Sequence, residues 1–440
     1  MHTNHGDALA VAPGTPSEHA AGPAARCPFR LDPDGTDIQG EAARIRAAGP
    51  ATRIELPEGV PAWAVADPAV ITRLLTSPAV SKDAAQHWPA WIDGEVGPDW
   101  SLALWVSIRS MFTAYGTAHT RLRKLVSGAF TAHRTKALAP VVSRIAEELL
   151  DEIEALPPGE PVDLRARYAG PLPARVICEL FGVPLESRDR LCILFDALFS
   201  TATPAEEVRA HAVELYGILH ALVALKRGAP GDDLTSALIT IQRESIASGA
   251  PQPLEDQELL DTLVHFLSAG YETSINLIDH AVHALLTHPE QLELIRTGAA
   301  EWSDAVEETL RWEPAAANLM LRYAVEDIDL GEVVVPKGDA LVMAVAGAGR
   351  DEGLHGPDAA LFDLTRATRR DHLAFGYGVH HCLGAPLARM EGTTALSALF
   401  ARFPELALAV PSSSLRPVKS FISNGHRELP VLRYGPGAGA

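Results

Sequence analysis

Apolar residues return every three to four positions through most of the chain, a spacing that predicts helices. Between 140 and 244 it gives amphipathic runs over 141–153, 174–180, 191–198 and 205–225. Pro230-Gly-Asp-Asp233 breaks the pattern, and Asp233 is placed to cap a helix over 234–246. The longest run covers 254–286, where Leu259, Leu260, Leu263, Val264, Leu267, Leu277, Ile278, Ala281 and Leu285 occupy most of the helix circumference. About 30 residues of helix span ~45 Å, so this element is expected to run through the core.

Alternation of period two is confined to short stretches. It predicts strands within 54–65, joined through Pro57-Glu-Gly-Val-Pro61, then a short helix over 68–75. Residues 321–338 read as strand, turn and strand around the corner Pro336-Lys-Gly338, and 406–432 as further short strands. The fold class that follows is mainly α with small β-sheets, an α+β chain. Residues 1–26 carry no sustained apolar block and are expected to be a flexible tail.

Two places break the helical logic, and both carry chemistry. Inside the longest run, Ala269-Gly270-Tyr271-Glu272-Thr273-Ser274 puts a glycine, an acid and two hydroxyls into a helix that otherwise reads as buried. An acid there is costly unless partnered or used, and the alternative is a bend that turns it to solvent. The second place is Phe375-Gly-Tyr-Gly-Val-His-His-Cys-Leu-Gly384. Its glycines permit positive φ and close approach, so Cys382 is presented on a tight loop with little cover. Pro386 falls in the first turn of a following helix whose amides and positive dipole end would face the sulfur, which suits a metal-ligating thiolate. A buried structural cysteine is one alternative. A zinc site of His380, His381 and Cys382 is another, although three ligands this close crowd a tetrahedral ion and no second ligand pair stands elsewhere.

With 440 residues, 47% of them hydrophobic, the chain can bury a large core. Its four cysteines, Cys27, Cys178, Cys192 and Cys382, are too irregular for a disulfide framework and fit a reducing compartment. An apolar run of the ~18 to 20 residues that span a bilayer is not expected, so the chain reads as cytoplasmic with no membrane partner. A net charge of −19 argues against nucleic acid as well. One stretch opposes that trend: 100–146 holds no Asp or Glu, while Arg109, Arg121, Arg123, Lys124, Arg134, Lys136 and Arg144 supply only positive charge. It is either a local imbalance or a docking face for an acidic partner. Trp88, Trp91, Trp100 and Trp105, four of the seven tryptophans, crowd 86–111 and either pack locally or line an apolar pocket.

The run Phe375-Gly-x-Gly-x-His380-x-Cys382-x-Gly384 resembles the haem-binding signature of the cytochrome P450 family. Other segments extend the likeness over 27–432. Residues 269–273 resemble the family's oxygen-activation motif, Ala-Gly-x-acid-Thr. Glu308-Thr-Leu-Arg311 stands where the family keeps a structural Glu-x-x-Arg. His119 and Arg123, four apart on a basic helix, are similar to the His and Arg that hold haem propionates, and Arg322 matches a third propionate ligand. Gly349-Arg-Asp351 and Phe362-Asp-Leu-Thr-Arg366 match later landmarks. Two positions depart: Tyr115-Gly-Thr-Ala replaces the usual turn before the His, and Leu361 replaces the usual basic third partner of Glu-x-x-Arg, leaving Arg366 or a backbone carbonyl to serve.

The resemblance implies one P450 domain over 27–435 with a flexible end at 436–440. It implies haem b on Cys382, with His119, Arg123, Ala269, Gly270, Arg322, Phe375, Gly376, His380 and Gly384 around it and Glu272 and Thr273 supplying protons. The implied reaction inserts one oxygen atom of O2 into a lipophilic small molecule, a natural product such as a macrolide, terpenoid or steroid. Electrons would come from a ferredoxin, served by an NAD(P)H-dependent ferredoxin reductase and docked on the basic stretch. A peroxide-driven haem-thiolate enzyme usually replaces the acid-alcohol pair, and a haem sensor or carrier has no use for it. Pocket walls are expected from the tryptophan stretch, 266–271, 315–320 and Phe421-Ile422.

Overall fold

A computed structural model describes residues 29–128 and 136–435. The expectations for the tail at 1–26, for Cys27, for Arg134 and for the end at 436–440 lie outside the described residues. Helices form where apolar spacing predicts them, as Ala139–Glu154, Pro171–Leu180, Leu185–Phe199, Ala205–Gly228 and Leu234–Ala247. Asp233 caps the last of these by accepting from the Ser236 amide at 2.8 Å. The longest helix runs unbroken over Asp256–Thr287, 32 residues, and a reciprocal capping box of Glu255 and Glu258 fixes its start. Buried on nearly all sides, it packs against Pro171–Leu180, Trp302–Trp312 and Ala385–Arg402. The expected alternative of a bend at Glu272 is not realised.

Two helical features escaped the spacing. A π-helical turn over Arg165–Ala169 interrupts the 140–244 region, and Ile38–Ala47 is a helix capped by Asp37. The membrane expectation also needs correction, because Ala205–Gly228 has the length and, at a mean hydropathy of 1.3, the composition of a span. Two of its charges form exposed ion pairs with other segments of the chain, Arg209 with Asp99 and Glu214 with Arg190.

The main sheet has six strands in the order Phe29–Arg30, Thr52–Leu56, Val60–Val65, Ala340–Met343, Leu319–Ala324 and Val80–Ser81. Within the 321–338 stretch the first strand divides into two, Leu319–Ala324 and Ile328–Asp329, separated by a bend at Val325-Glu326. The Pro336-Lys-Gly338 corner forms as read, with Gly338 at φ +87°. A second core lies between this sheet and the tryptophan stretch, where Trp88 stacks on Tyr323 at 5.2 Å and meets Trp100 at 5.7 Å. Packing is therefore the answer for three tryptophans. Trp105 alone of the four faces a cavity, the one described next.

Candidate active site

The cysteine loop is shaped by glycine where its backbone demands it. Gly376 and Gly378 sit at φ +67° and +70°, and a Cβ on Gly378 would lie 2.7 Å from the Leu75 carbonyl oxygen. The Cys382 amide closes the loop on the Phe375 carbonyl at 3.0 Å. Helix Ala385–Arg402 follows with Pro in its first turn, and the amides of Gly384 and Ala385 point at the sulfur. Burial nonetheless pushes the thiol above its ordinary value, against the pull of those amides, Arg123 and Arg389. The expected pull of the helix-start amides toward a thiolate is present, and burial outweighs it. Arg389 lies over the Phe375 ring at 4.6 Å and pairs with Glu307, which also meets His372 at 3.1 Å.

Cys382 opens into a cavity of about 280 Å³ that is partly open to solvent. The long helix forms the opposite wall, with Ala269, Gly270, Thr273 and Ser274 facing in, and Phe375, Gly376, His380, Arg322 and Gly384 complete it nearer the sulfur. Gly270 has a packing reason of its own: a Cβ there would lie 2.7 Å from Ile177 Cδ1. Of the expected pocket segments, Trp105, Phe266, Ala315, Met320 and Ile422 line the space. Tyr271 does not. Its hydroxyl turns to the far side of the helix and donates to Asp196 at 3.0 Å.

A cationic cluster lies along one edge. The rings of His119 and His380 approach to 4.1 Å, Arg123 donates to the His381 carbonyl at 2.9 Å, and Arg322 donates to the carbonyls of Met320 and Leu321. Lys82, which the sequence reading did not single out, joins them. His119 Nε2 and Arg123 Nη1 are buried without a hydrogen-bond partner. Burial holds the His119 pKa at about 4 and that of Arg322 at about 10, and among the described residues no carboxylate faces any member of the cluster. The orphaned nitrogens of His119 and Arg123 and the guanidinium groups of Arg123 and Arg322, unpaired by any carboxylate beside an accessible cysteine, fit a cofactor carrying acid groups, with the histidines neutral.

The acid and the alcohol face different ways. Thr273 lines the cavity, its hydroxyl donating back to the Ala269 carbonyl at 2.6 Å. Glu272 points to the other side, accepting from Asn276 at 3.0 Å with Arg165 at 3.8 Å, at the inner end of a polar groove that opens to solvent. Burial raises its pKa to about 7, against the pull of Arg165.

The family model for cytochrome P450 matches residues 303–411. Over 94% of its length the chain is 41% identical to a 2-hydroxy-5-methyl-1-naphthoate 7-hydroxylase of Streptomyces carzinostaticus, covering 99% of that protein. It is 36% identical to a mycinamicin IV hydroxylase/epoxidase of Micromonospora griseorubida, covering 92% of this chain and 98% of the relative. The chain belongs to the cytochrome P450 family. The solved structure of CYP154A1 from Streptomyces coelicolor A3(2) superposes with a TM-score of 0.86 at 50% identity, over 92% of this chain and all of that one. This P450 is a haem-thiolate monooxygenase.

A buried ion-pair network adds to the P450 site. Glu308 and Arg311 are fully buried and joined by two bonds of 2.6 and 2.8 Å, while Arg311 also donates to the carbonyls of Gly349, Ala359 and Leu361. Arg366 approaches Glu308 at 3.4 Å, so both expected substitutes for the missing basic partner at Leu361 are used. The basic stretch is less cationic than it reads. Arg109, Arg121 and Arg144 are spent on Glu255, Glu258 and Glu148 with Glu179, and Arg123 turns inward. Among the described residues, Lys124 and Lys136 remain exposed without an ion pair.

Proposed function

We propose that Cys382 is the axial ligand of a haem b whose propionates are held by His119, Arg123, Arg322 and His380. When bound, thiolate-ligated haem supplies the activation of dioxygen and the insertion of one of its atoms into substrate. The observation that carries this reading is the single cavity in which Cys382 faces Thr273 across a width lined by small residues, beside cations that have no anion. Ala269, Gly270, Gly376 and Gly384 leave room for a flat ring, and Phe375, under Arg389, anchors the cysteine loop through the Cys382 amide.

Thr273 can hold a proton donor on the cavity side of the long helix, while Glu272, on the opposite face one residue before it, lines the solvent groove beside Arg165 and Asn276 and is the nearest titrating group to resupply that donor. Near neutrality Glu272 is poised to give up and regain a proton, with its pKa at about 7. Electrons arrive from a ferredoxin reduced by an NAD(P)H-dependent reductase, docked beside Lys124 on the cysteine side. The walls favour a lipophilic natural product, and the naphthoate and mycinamicin named for the relatives are within the range of compounds to try. A single domain over 27–435 and a cytoplasmic location belong to the same reading. Free Cys178 and Cys192 support the reducing compartment. The test is turnover with ferredoxin, reductase and NAD(P)H set against hydrogen peroxide alone. Product with the electron-transfer chain and little with peroxide is expected; the reverse identifies a peroxide-driven enzyme, and no product with either identifies a carrier.

A further inference from the structure

Lys82 follows the edge strand Val80–Ser81, and the pairing of that strand with Leu319–Ala324 carries its side chain into the cavity. The residue is only 4% exposed. Its ammonium donates to the Met320 carbonyl at 3.1 Å and lies 3.2 Å from the centroid of the Phe112 ring. Arg322 Nη1 donates to that same carbonyl oxygen, also at 3.1 Å. Two basic groups thus meet on one acceptor, no further apart than the sum of those distances, and among the described residues no carboxylate pairs with either; burial and the Arg322 charge pull the Lys82 pKa well below its ordinary value, which an incoming anion would reverse.

A buried ammonium with one carbonyl and one aromatic face has donors left over, and a second cation beside it adds repulsion. An apolar residue of similar length would relieve both costs. The arrangement makes physical sense when an anion enters between the two cations. Under the proposed function Arg123 and Arg322 are already assigned to propionates, and Lys82 is a third basic group facing the same cavity as Arg322. It also reaches toward the wall where Phe112 and His265 pack at 4.9 Å, a part of the cavity on the long helix well before Thr273.

We infer that Lys82 anchors a carboxylate inside the cavity, supplied either by the haem or by an acidic substrate. The inference rests on the monooxygenase reading for the occupant of the cavity. It adds a cation that selects for acid groups, so that compounds bearing a carboxylate are favoured over their neutral esters if the haem does not take the position.

The experiment uses the haem-loaded protein and its Lys82→Met and Lys82→Arg variants, with Lys82→Gln in reserve should the Met variant not fold. Haem transfer to apomyoglobin is timed, and the haem spin-state shift is titrated with 1-naphthoic acid and with its methyl ester. Loss of one charge-assisted contact is worth about tenfold or more. If the carboxylate is the haem's, Lys82→Met releases haem about tenfold faster and Lys82→Arg stays near wild type. If it is the substrate's, haem release is unchanged, and a wild-type preference for acid over ester of about tenfold disappears in Lys82→Met and returns in Lys82→Arg. A Lys82→Met protein that matches wild type in haem release and in its acid-to-ester ratio, including the case where neither compound binds, overturns the inference. A wild-type protein with no thiolate-type haem spectrum overturns the underlying reading instead.

Discussion

The hydroxyl of Thr273 donates to the carbonyl of Ala269, one turn back, at 2.6 Å, and both residues face the cavity that Cys382 closes from the other side. The hydrogen is used within the helix, which leaves the oxygen lone pairs to hold a water or a substrate-side donor in place.

Thr273→Ala is therefore expected to keep haem content, substrate binding and electron uptake near wild type. Product per NAD(P)H should fall about tenfold or more, with the lost equivalents appearing as hydrogen peroxide. Glu272→Gln should do the same by removing the titrating group behind it. If Thr273 only back-bonds to its helix, thermal stability shifts and product per NAD(P)H does not.

Glu391 sets a pH dependence of stability. It is fully buried with the Ser274 hydroxyl donating to it at 2.6 Å, and burial raises its pKa from 4.5 to about 8. The folded state then holds a proton that the unfolded chain releases, so this stabilisation is full below about 4.5 and is lost as pH rises through about 8. Glu391→Gln should flatten that slope and gain on wild type by a few kcal/mol at pH 9, while losing the advantage below pH 5. Parallel melting curves of the two proteins across that range would remove Glu391 from the account.

Arg311 spreads five bonds between Glu308 and three carbonyls with no exposure to solvent. Arg311→Lys cannot reproduce that fork and should cost about 3 to 5 kcal/mol in denaturant unfolding. Arg366→Met, which removes only the more distant partner, should cost clearly less.

Charge reversal at Lys124 should slow reduction by a ferredoxin several-fold at low salt, with the gap closing as salt rises, and should leave substrate affinity alone. Reversal at Arg121 tests something else, since that cation is already tied to Glu258. Stopped-flow reduction rates at several ionic strengths separate the two, and a rate indifferent to Lys124 would put the dock elsewhere.

What the sequence made legible was what residue type encodes locally. Gly378 betrays a backbone pressed against Leu75, Asp233 a helix start, and the unbroken apolar circumference of 254–286 a buried helix. Long-range electrostatics left no such trace. Arg121 reads as part of a basic face until the fold brings Glu258 to it, and nothing in the sequence singles out Lys82, which lies next to the edge strand whose pairing turns it inward. The same limit hid the clamp of Glu307 on Arg389 and His372 beneath the cysteine loop. The tryptophan stretch was ambiguous for a related reason, because aromatic packing and pocket lining draw on the same residue type.

The central claim is that Cys382, and neither Cys178 nor Cys192, carries the haem iron. Burial raises the thiols of those two to about 12 and about 11, and neither opens into the cavity. The absorption of the reduced carbon monoxide complex tests this most directly. Wild-type protein should give the red-shifted Soret band of a thiolate-ligated haem, and Cys382→Ala should lose it. A histidine-type band in the wild type, or a thiolate-type band that persists in Cys382→Ala, would contradict the assignment.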